Sequence, residues 1–310
     1  MQVRAAFAAL LAALMATGCA TAPEPPAPPT TASGTPSPVA SAPAGADRSA
    51  AARKALRALE REYDARLGVW ALDTGTGDFV DFNADERFAF ASTFKPLVCG
   101  VLLQQASDRR LAAVVRWKAA DVVANSPVTA RRTARGMTLA QLCEAAIRHS
   151  DNTAINLVLA EIGGPKAFTD ALHDLGDTAT RSDRIEPAMS DVPPGETRDT
   201  TTPRAFATDL GAFLLGDALP DPRRALLADW LSRPLPLSAE IRGGLPDGWR
   251  VHGKTGTTAN GGRNYIAVTH PPGRAPLLLA VLSTRTDPSL PTDDTLLATA
   301  LTKAVTALTP

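Results

Sequence analysis

Cysteine and histidine are scarce in this 310-residue sequence, and a charge excess of either sign is lacking. Lys plus Arg and Asp plus Glu number 32 each, and no long block of one sign interrupts the chain. That balance gives no field to draw it to nucleic acid or to an anionic bilayer, so the expected partner is small or neutral overall. The four histidines, His149, His173, His252 and His270, have no close metal-ligand spacing, which argues against a metal-dependent hydrolase. The apolar stretch from Ala5 to Ala16 is too short to span a bilayer comfortably. No internal repeat of solenoid type is visible. What is present is a 45% apolar composition, enough for a large core in one domain of about 250 residues or in two smaller ones.

Residues 1–19 read as an export signal, with Arg4 ahead of the apolar stretch and Thr17, Gly18 and Cys19 after it. Ala16-Thr17-Gly18-Cys19 resembles a bacterial lipoprotein processing site, in which Cys19 would become the lipidated first residue, although leucine is more usual at the first position. An ordinary cleaved signal with an incidental Cys19 is the alternative. Both readings export the protein from a bacterium, either free outside the cell or as a surface lipoprotein. Residues 20–46 are Pro, Ala, Thr and Ser with almost no large apolar side chain. They cannot bury enough surface to fold and read as a semi-extended tether between a candidate anchor and a folded domain.

Only three cysteines occur, and Cys19 belongs to the signal or anchor, so Cys99 and Cys143 remain as one pair in an oxidising compartment. A bond between them would close a loop worth about 4 kcal/mol by chain entropy, an upper figure because native strain subtracts from it. Two separate buried thiols are the other possibility.

Periodicity divides the folded part, residues 47–310. Arg48 to Arg66 has apolar positions at Leu56, Leu59 and Tyr63, one helix face. Val69–Leu72 and Phe79–Phe82 flank Asp73-Thr74-Gly75-Thr76-Gly77 and predict a hairpin. Helices are expected over 94–105, 139–149, 153–162, 165–175, 203–215 and 222–231, with Thr138 and Pro203 as start signals. Strands return at 249–254, 264–270 and 276–283, and a closing helix at 292–308. The fold class is therefore α/β of the α+β kind. A five-stranded antiparallel sheet, flanked by helices and completed by both termini, would span about 47–83 and 232–310, with an inserted all-α part over about 84–231.

Ser92-Thr93-Phe94-Lys95 opens the first inner helix, and a spacing of three places the hydroxyl and the amine on one helical face. A serine needs a base beside it to become a nucleophile, and a helix N-terminus offers amides for developing negative charge. Alone, Ser-x-x-Lys is weak, since a capped helix with a solvated lysine has the same pattern. Ser150-Asp151-Asn152 between two helices, and Lys254-Thr255-Gly256-Thr257 at the end of a strand, make it specific. In this order the three motifs resemble the signature of the penicillin-recognising serine enzymes.

Arg184-Ile185-Glu186-Pro187 narrows the resemblance to class A β-lactamases, because it matches the loop that carries their water-activating acid, Glu186 standing at the acid's position. Asp199, thirteen residues after Glu186, matches the aspartate paired with the loop arginine, Arg184. Asn156, one turn after Asn152, matches the asparagine that anchors this loop. The resemblance runs from about Ser49 to Leu308 and takes in Cys99 and Cys143, which match a disulfide of many members. It implies a fold of the β-lactamase/transpeptidase type, a monomer, no cofactor and a small β-lactam as partner.

The resemblance also implies roles. Ser92 would attack the lactam carbonyl, with the backbone amides of Ser92 and Thr257 holding the oxyanion. Ser150 would relay a proton to the leaving nitrogen. Lys95 or Glu186 would be the acylation base, and Glu186 would activate the hydrolytic water. Lys254, Thr255, Thr257 and Arg263 would meet the substrate carboxylate, and Asn152 the side-chain amide. Three departures stand out. Ser190 replaces the asparagine that helps position the water, so slower deacylation of some substrates is expected. Asn125 stands at the site edge where many members carry an aromatic ring, which widens the entrance. Ala91 and Thr258 are not cysteines, so the extra disulfide of one carbapenem-hydrolysing subgroup is absent. A D,D-peptidase sharing the three motifs would lack the Glu186 loop, and a sensor that stays acylated is favoured only by Ser190.

Overall fold

A computed structural model describes residues 44–232 and 239–309. The export signal, Cys19 and the tether as far as residue 43 lie outside the described residues. The chain begins with helix α1 (Ala44–Glu62), whose start takes the last three residues assigned to the tether. Ala52, Leu56 and Leu59 are its buried face. The helix stops four residues before the expected Arg66, because Asp64 turns to φ +44° and Ala65 enters a strand.

Strands β1 (Ala65–Asp73) and β2 (Phe79–Phe82) form the expected hairpin. Its turn is built locally: Asp73 Oδ1 accepts from the amides of Gly75 and Thr76, and Gly77 takes φ +78°, which glycine adopts without steric cost. Next come β3 (Phe88–Ala89), a 3₁₀ turn over Ala91–Phe94, α2 (Lys95–Gln105), α3 (Asp108–Leu111), β4 (Val114–Val115) and β5 (Met137–Thr138). Helices α4 (Leu139–Arg148), α5 (Asn152–Glu161) and α6 (Pro165–Asp174) follow, then β6 (Thr200–Thr201), α7 (Pro203–Leu214), α8 (Asp221–Ser232) and α9 (Ala239–Gly243). Strands β7 (Arg250–Thr257), β8 (Arg263–His270) and β9 (Leu277–Arg285) and helix α10 (Asp294–Leu308) end the fold.

The helix starts have local causes. Thr138 and Gln141 exchange side-chain and backbone hydrogen bonds as a capping box for α4. Thr202 caps α7 one residue before Pro203 at its first turn, and Asp151 caps α5. The expected all-α part also contains two small strand pairs, β3 with β6 and β4 with β5, which are too short to show a period of two in the sequence.

The main sheet runs β2-β1-β9-β8-β7, antiparallel throughout, so the first and last thirds of the chain share it. Alternation sends its side chains into two cores. Ile266, Val268, Leu278, Ala280 and Leu282 join the core of the helical part. Tyr265, Ala267, Leu277, Leu279 and Val281 pack instead with α1 and α10 through Leu56, Leu297 and Leu301. Lys254 of β7 pairs with Ile266 and so shares the first of these faces.

Cys99 on α2 and Cys143 on α4 stand as free thiols in this structure. They are fully buried side by side, and burial first, then the hydrogen bond to Cys143, pushes the Cys99 thiol well up.

Candidate active site

The nucleophile turn is shaped by its neighbours. Ala91 takes φ +44° ahead of Ser92, and the 3₁₀ turn then runs into α2 with Pro96 in its first turn. Strand β7 presses on this turn at Gly256. A Cβ there would stand 3.0 Å from Phe90 O, 3.1 Å from Thr93 N and 3.2 Å from Ser92 N, so a side chain would press this backbone back by a few tenths of an ångström where glycine lets the strand approach freely. Asn264 on β8 adds a strap that the sequence did not reveal: its amide donates to Ala89 O at 2.7 Å and accepts from Ser283 N at 3.0 Å.

Ser92 Oγ donates to Glu186 Oε1 at 3.2 Å, although 94 residues separate them. Lys95 is fully buried, and its Nζ donates to Ser150 O at 2.8 Å and Asn152 Oδ1 at 2.6 Å, with Glu186 Oε1 at 3.4 Å. Burial lowers the Lys95 pKa, and the attraction of Glu186 opposes that shift without cancelling it. Ser150, held at φ +52°, has its hydroxyl between two amines, 3.3 Å from Lys95 Nζ and 3.2 Å from Lys254 Nζ. Burial, then the positive charges of Lys95 and Arg263, push Lys254 well below the ordinary lysine value.

Asp151 serves the scaffold. Its Oδ1 accepts from Ala154 N and Thr129 Oγ1, and its Oδ2 from the amides of Val128 and Thr129. These bonds lock the segment before α4 onto the start of α5, and so place Ser150 and Asn152 on either side of it. Asn152 Nδ2 donates to Ala124 O at 3.1 Å.

Glu186 is 3% exposed and is gripped at both ends. Asn156 accepts from the Glu186 amide at 2.9 Å and donates to its carbonyl at 2.8 Å. Ser190 Oγ donates to Glu186 Oε2 at 3.0 Å, so the shorter side chain still reaches the acid. The Ser190 carbonyl accepts from Ala259 N in the turn after β7 at 2.9 Å. At the loop's root, Asp199 is fully buried and accepts from the amides of Asp183 and Arg184 and from Arg184 Nε. The Arg184–Asp199 and Asn156–Glu186 matches thus meet in space.

Arg263 pairs across the strands with Thr257 and donates to its Oγ1 at 2.9 Å, while its Nε is held by Asp294 Oδ1 at 2.6 Å. Asp294, at the start of α10, had no sequence signal as a site residue; its contact with Arg263 depends on how the last helix packs. Ser92, Ser150, Asn152, Glu186, Thr255 and Arg263 line one cavity of about 890 Å³, together with Ser190, Thr257 and Asn125 at its edge. No group of three or more metal-ligating side chains occurs among the described residues.

Residues 51–308 match the model of the Beta-lactamase enzyme family, which covers more than half of the chain. The chain belongs to the beta-lactamase enzyme family. The beta-lactamase of Amycolatopsis lactamdurans is 51% identical over 250 residues, 81% of this chain and 83% of that protein. The beta-lactamase of Bacillus licheniformis is 47% identical over 250 residues, 81% of each. Among solved structures, the class A beta-lactamase from Clostridium kluyveri superposes with a TM-score of 0.81 at 42% identity, over 83% of this chain and 98% of that one. This beta-lactamase is a serine-dependent class A enzyme that hydrolyses β-lactams. The fold expected from the sequence is the fold of these relatives.

Proposed function

We propose that Ser92 is the nucleophile of this class A β-lactamase, and that penicillins and cephalosporins pass through an ester on its Oγ, which confers β-lactam resistance. The observation that carries this reading is the buried triangle of Ser92, Lys95 and Glu186. The serine hydroxyl donates to Glu186, which favours Glu186 as the proton acceptor in acylation, while the lowered pKa of Lys95 helps it carry the proton onward. Lys95 and Lys254 both reach Ser150 Oγ, a position from which that hydroxyl delivers a proton to the lactam nitrogen. The amides of Ser92 and Thr257 form the oxyanion hole, a reading supported by the close approach of β7 to the Ser92 turn at Gly256.

After ring opening, Glu186 takes a proton from the water that attacks the ester, and Ser190 orients the acid through Oε2. Lys254, Thr255, Thr257 and Arg263 receive the substrate carboxylate, whose charge offsets the crowding of cations there. Asn152 meets the side-chain amide, and Asn156, Arg184 and Asp199 hold the loop. The protein acts as an exported monomer without a cofactor, tethered through lipidated Cys19 or released by signal cleavage, and in that oxidising setting Cys99 and Cys143 pair.

The test follows a chromogenic cephalosporin and the intact protein mass together over many turnovers. Sustained hydrolysis that disappears in Ser92→Ala, and a trapped ester in Glu186→Ala, are the expected results. A single equivalent of ring opening with a lasting adduct on the unaltered chain would mean a penicillin-binding or sensing protein, and rapid normal turnover by Glu186→Ala would remove the role given to that acid.

A further inference from the structure

Away from the cleft, the sheet brings together two histidines that sequence spacing keeps 18 residues apart. Strand register pairs Arg250 with His270 and His252 with Val268, so the imidazoles of β7 and β8 are diagonal neighbours on one face. Their ring centroids lie 5.0 Å apart with planes at 73°. His252 Nδ1 and His270 Nε2 face each other at 3.2 Å, and both residues are half-buried.

A single N–H···N hydrogen bond needs that separation. So does chelation: two imidazole nitrogens each about 2.0–2.1 Å from one ion, at an angle between about 90° and 110°, stand about 2.8–3.4 Å apart. We propose that His252 Nδ1 and His270 Nε2 form a two-imidazole site for a borderline divalent transition ion, Zn²⁺, Cu²⁺ or Ni²⁺. Imidazole suits these ions, whereas Mg²⁺ and Ca²⁺ prefer oxygen.

Each ring keeps its proton on the outer nitrogen, His252 Nε2 and His270 Nδ1, and turns a lone pair inward. Binding therefore shifts a proton between nitrogens of one ring, with no redox change. The ladder between β7 and β8 fixes both backbones before the ion arrives, so little ordering is left to oppose binding. Among the described residues no further His, Cys, Asp or Glu completes a group of three, so water fills the remaining positions through the exposed side of the rings. Exposed Arg250 repels the ion and limits its affinity, an effect that solvent screens.

The full chain, stripped of metal, is titrated with Cu²⁺ in a non-coordinating buffer and followed by calorimetry and electron paramagnetic resonance. One equivalent should bind, with hyperfine structure from two imidazole nitrogens. His252→Gln and His270→Gln, with β-lactam hydrolysis as the folding control, should each weaken binding by about tenfold or more, since even losing a group that only orients a ligand costs that much. No saturable uptake below the millimolar range, or a spectrum with one nitrogen in the unaltered protein, would overturn the site. Unchanged uptake in both variants would do the same and would place the ion on exposed His149 or His173.

Discussion

Ser190 and Asp209 show how single side chains set rate and stability. Ser190 Oγ holds Glu186 Oε2, a bond to a charged acceptor of the kind worth about 1.5–3 kcal/mol. Ser190→Ala should slow deacylation by about tenfold and leave acylation nearly unchanged, a split that rapid-quench mass spectrometry reads as more acyl-enzyme at steady state. Asp209 on α7 is a different case, a carboxyl buried against Asp177, four residues ahead of the catalytic loop's first residue, Arg181. Burial first, then Asp177, pushes Asp209 well above the ordinary carboxylate value. Its folded value thus exceeds its unfolded one, so its contribution is complete below the unfolded value and is lost as pH rises through the folded value. Asp209→Asn keeps the shape without the charge. It should melt higher than the parent near pH 8 and no higher near pH 4, as thermal scans at the two pH values would show. Asp209 carried no sequence signal because nothing in a helical pattern marks which acid meets another acid.

The loop from Arg181 to Thr200 is the element on which hydrolysis depends. Arg181 and Thr200 exchange backbone hydrogen bonds, Asp199 gathers the first turn, and Asn156 holds Glu186 by two hydrogen bonds. The loop is thereby fastened to α5 close to its acid. Asn156→Ala removes both bonds, at about 1 kcal/mol each. Deacylation should fall by more than about tenfold and acylation by less, with single-turnover kinetics separating the two steps and a melt reporting the lost stability. This element was legible in the sequence because its parts keep fixed spacings: Arg184, Glu186 and Asp199 lie within one short stretch, and Asn156 follows Asn152 by a turn. Another anchor, Ala259 N on Ser190 O, was not legible, since a backbone amide in a turn has no side-chain signature.

For the whole molecule, the cysteines couple location to stability. Cys99 and Cys143 touch in the core between α2 and α4 as free thiols. If export is part of this protein's life, the oxidised chain will be two hydrogens lighter than the reduced one. It will also melt higher by up to about 8–16 °C, the equivalent of about 4 kcal/mol in a domain of this size. Alkylation of both thiols in denaturant without reductant would show that the pair stays open.

Apart from the short helices α3 and α9, which it did not reveal, the sequence by itself determined the long helices, the hairpin, the sheet shared by both ends of the chain and the family. Those follow from local causes: the period of apolar residues, capping residues such as Thr138 and Asp151, turn glycines, and motifs whose members stand within a few residues of one another. Ends of elements were less exact, as Arg48–Arg66 shows, because helix and strand compete for Tyr63 to Arg66 and only packing against β9 decides between them. Tertiary structure alone decided which distant groups meet: Ser92 with Glu186, Arg263 with Asp294, Asn264 with the turn before the nucleophile, Asp177 with Asp209, and His252 with His270. The physical reason is register. A slip of one residue between β7 and β8 would turn Lys254 and His252 to the opposite face, and that alignment is set by how the two cores fill rather than by any short run of residues.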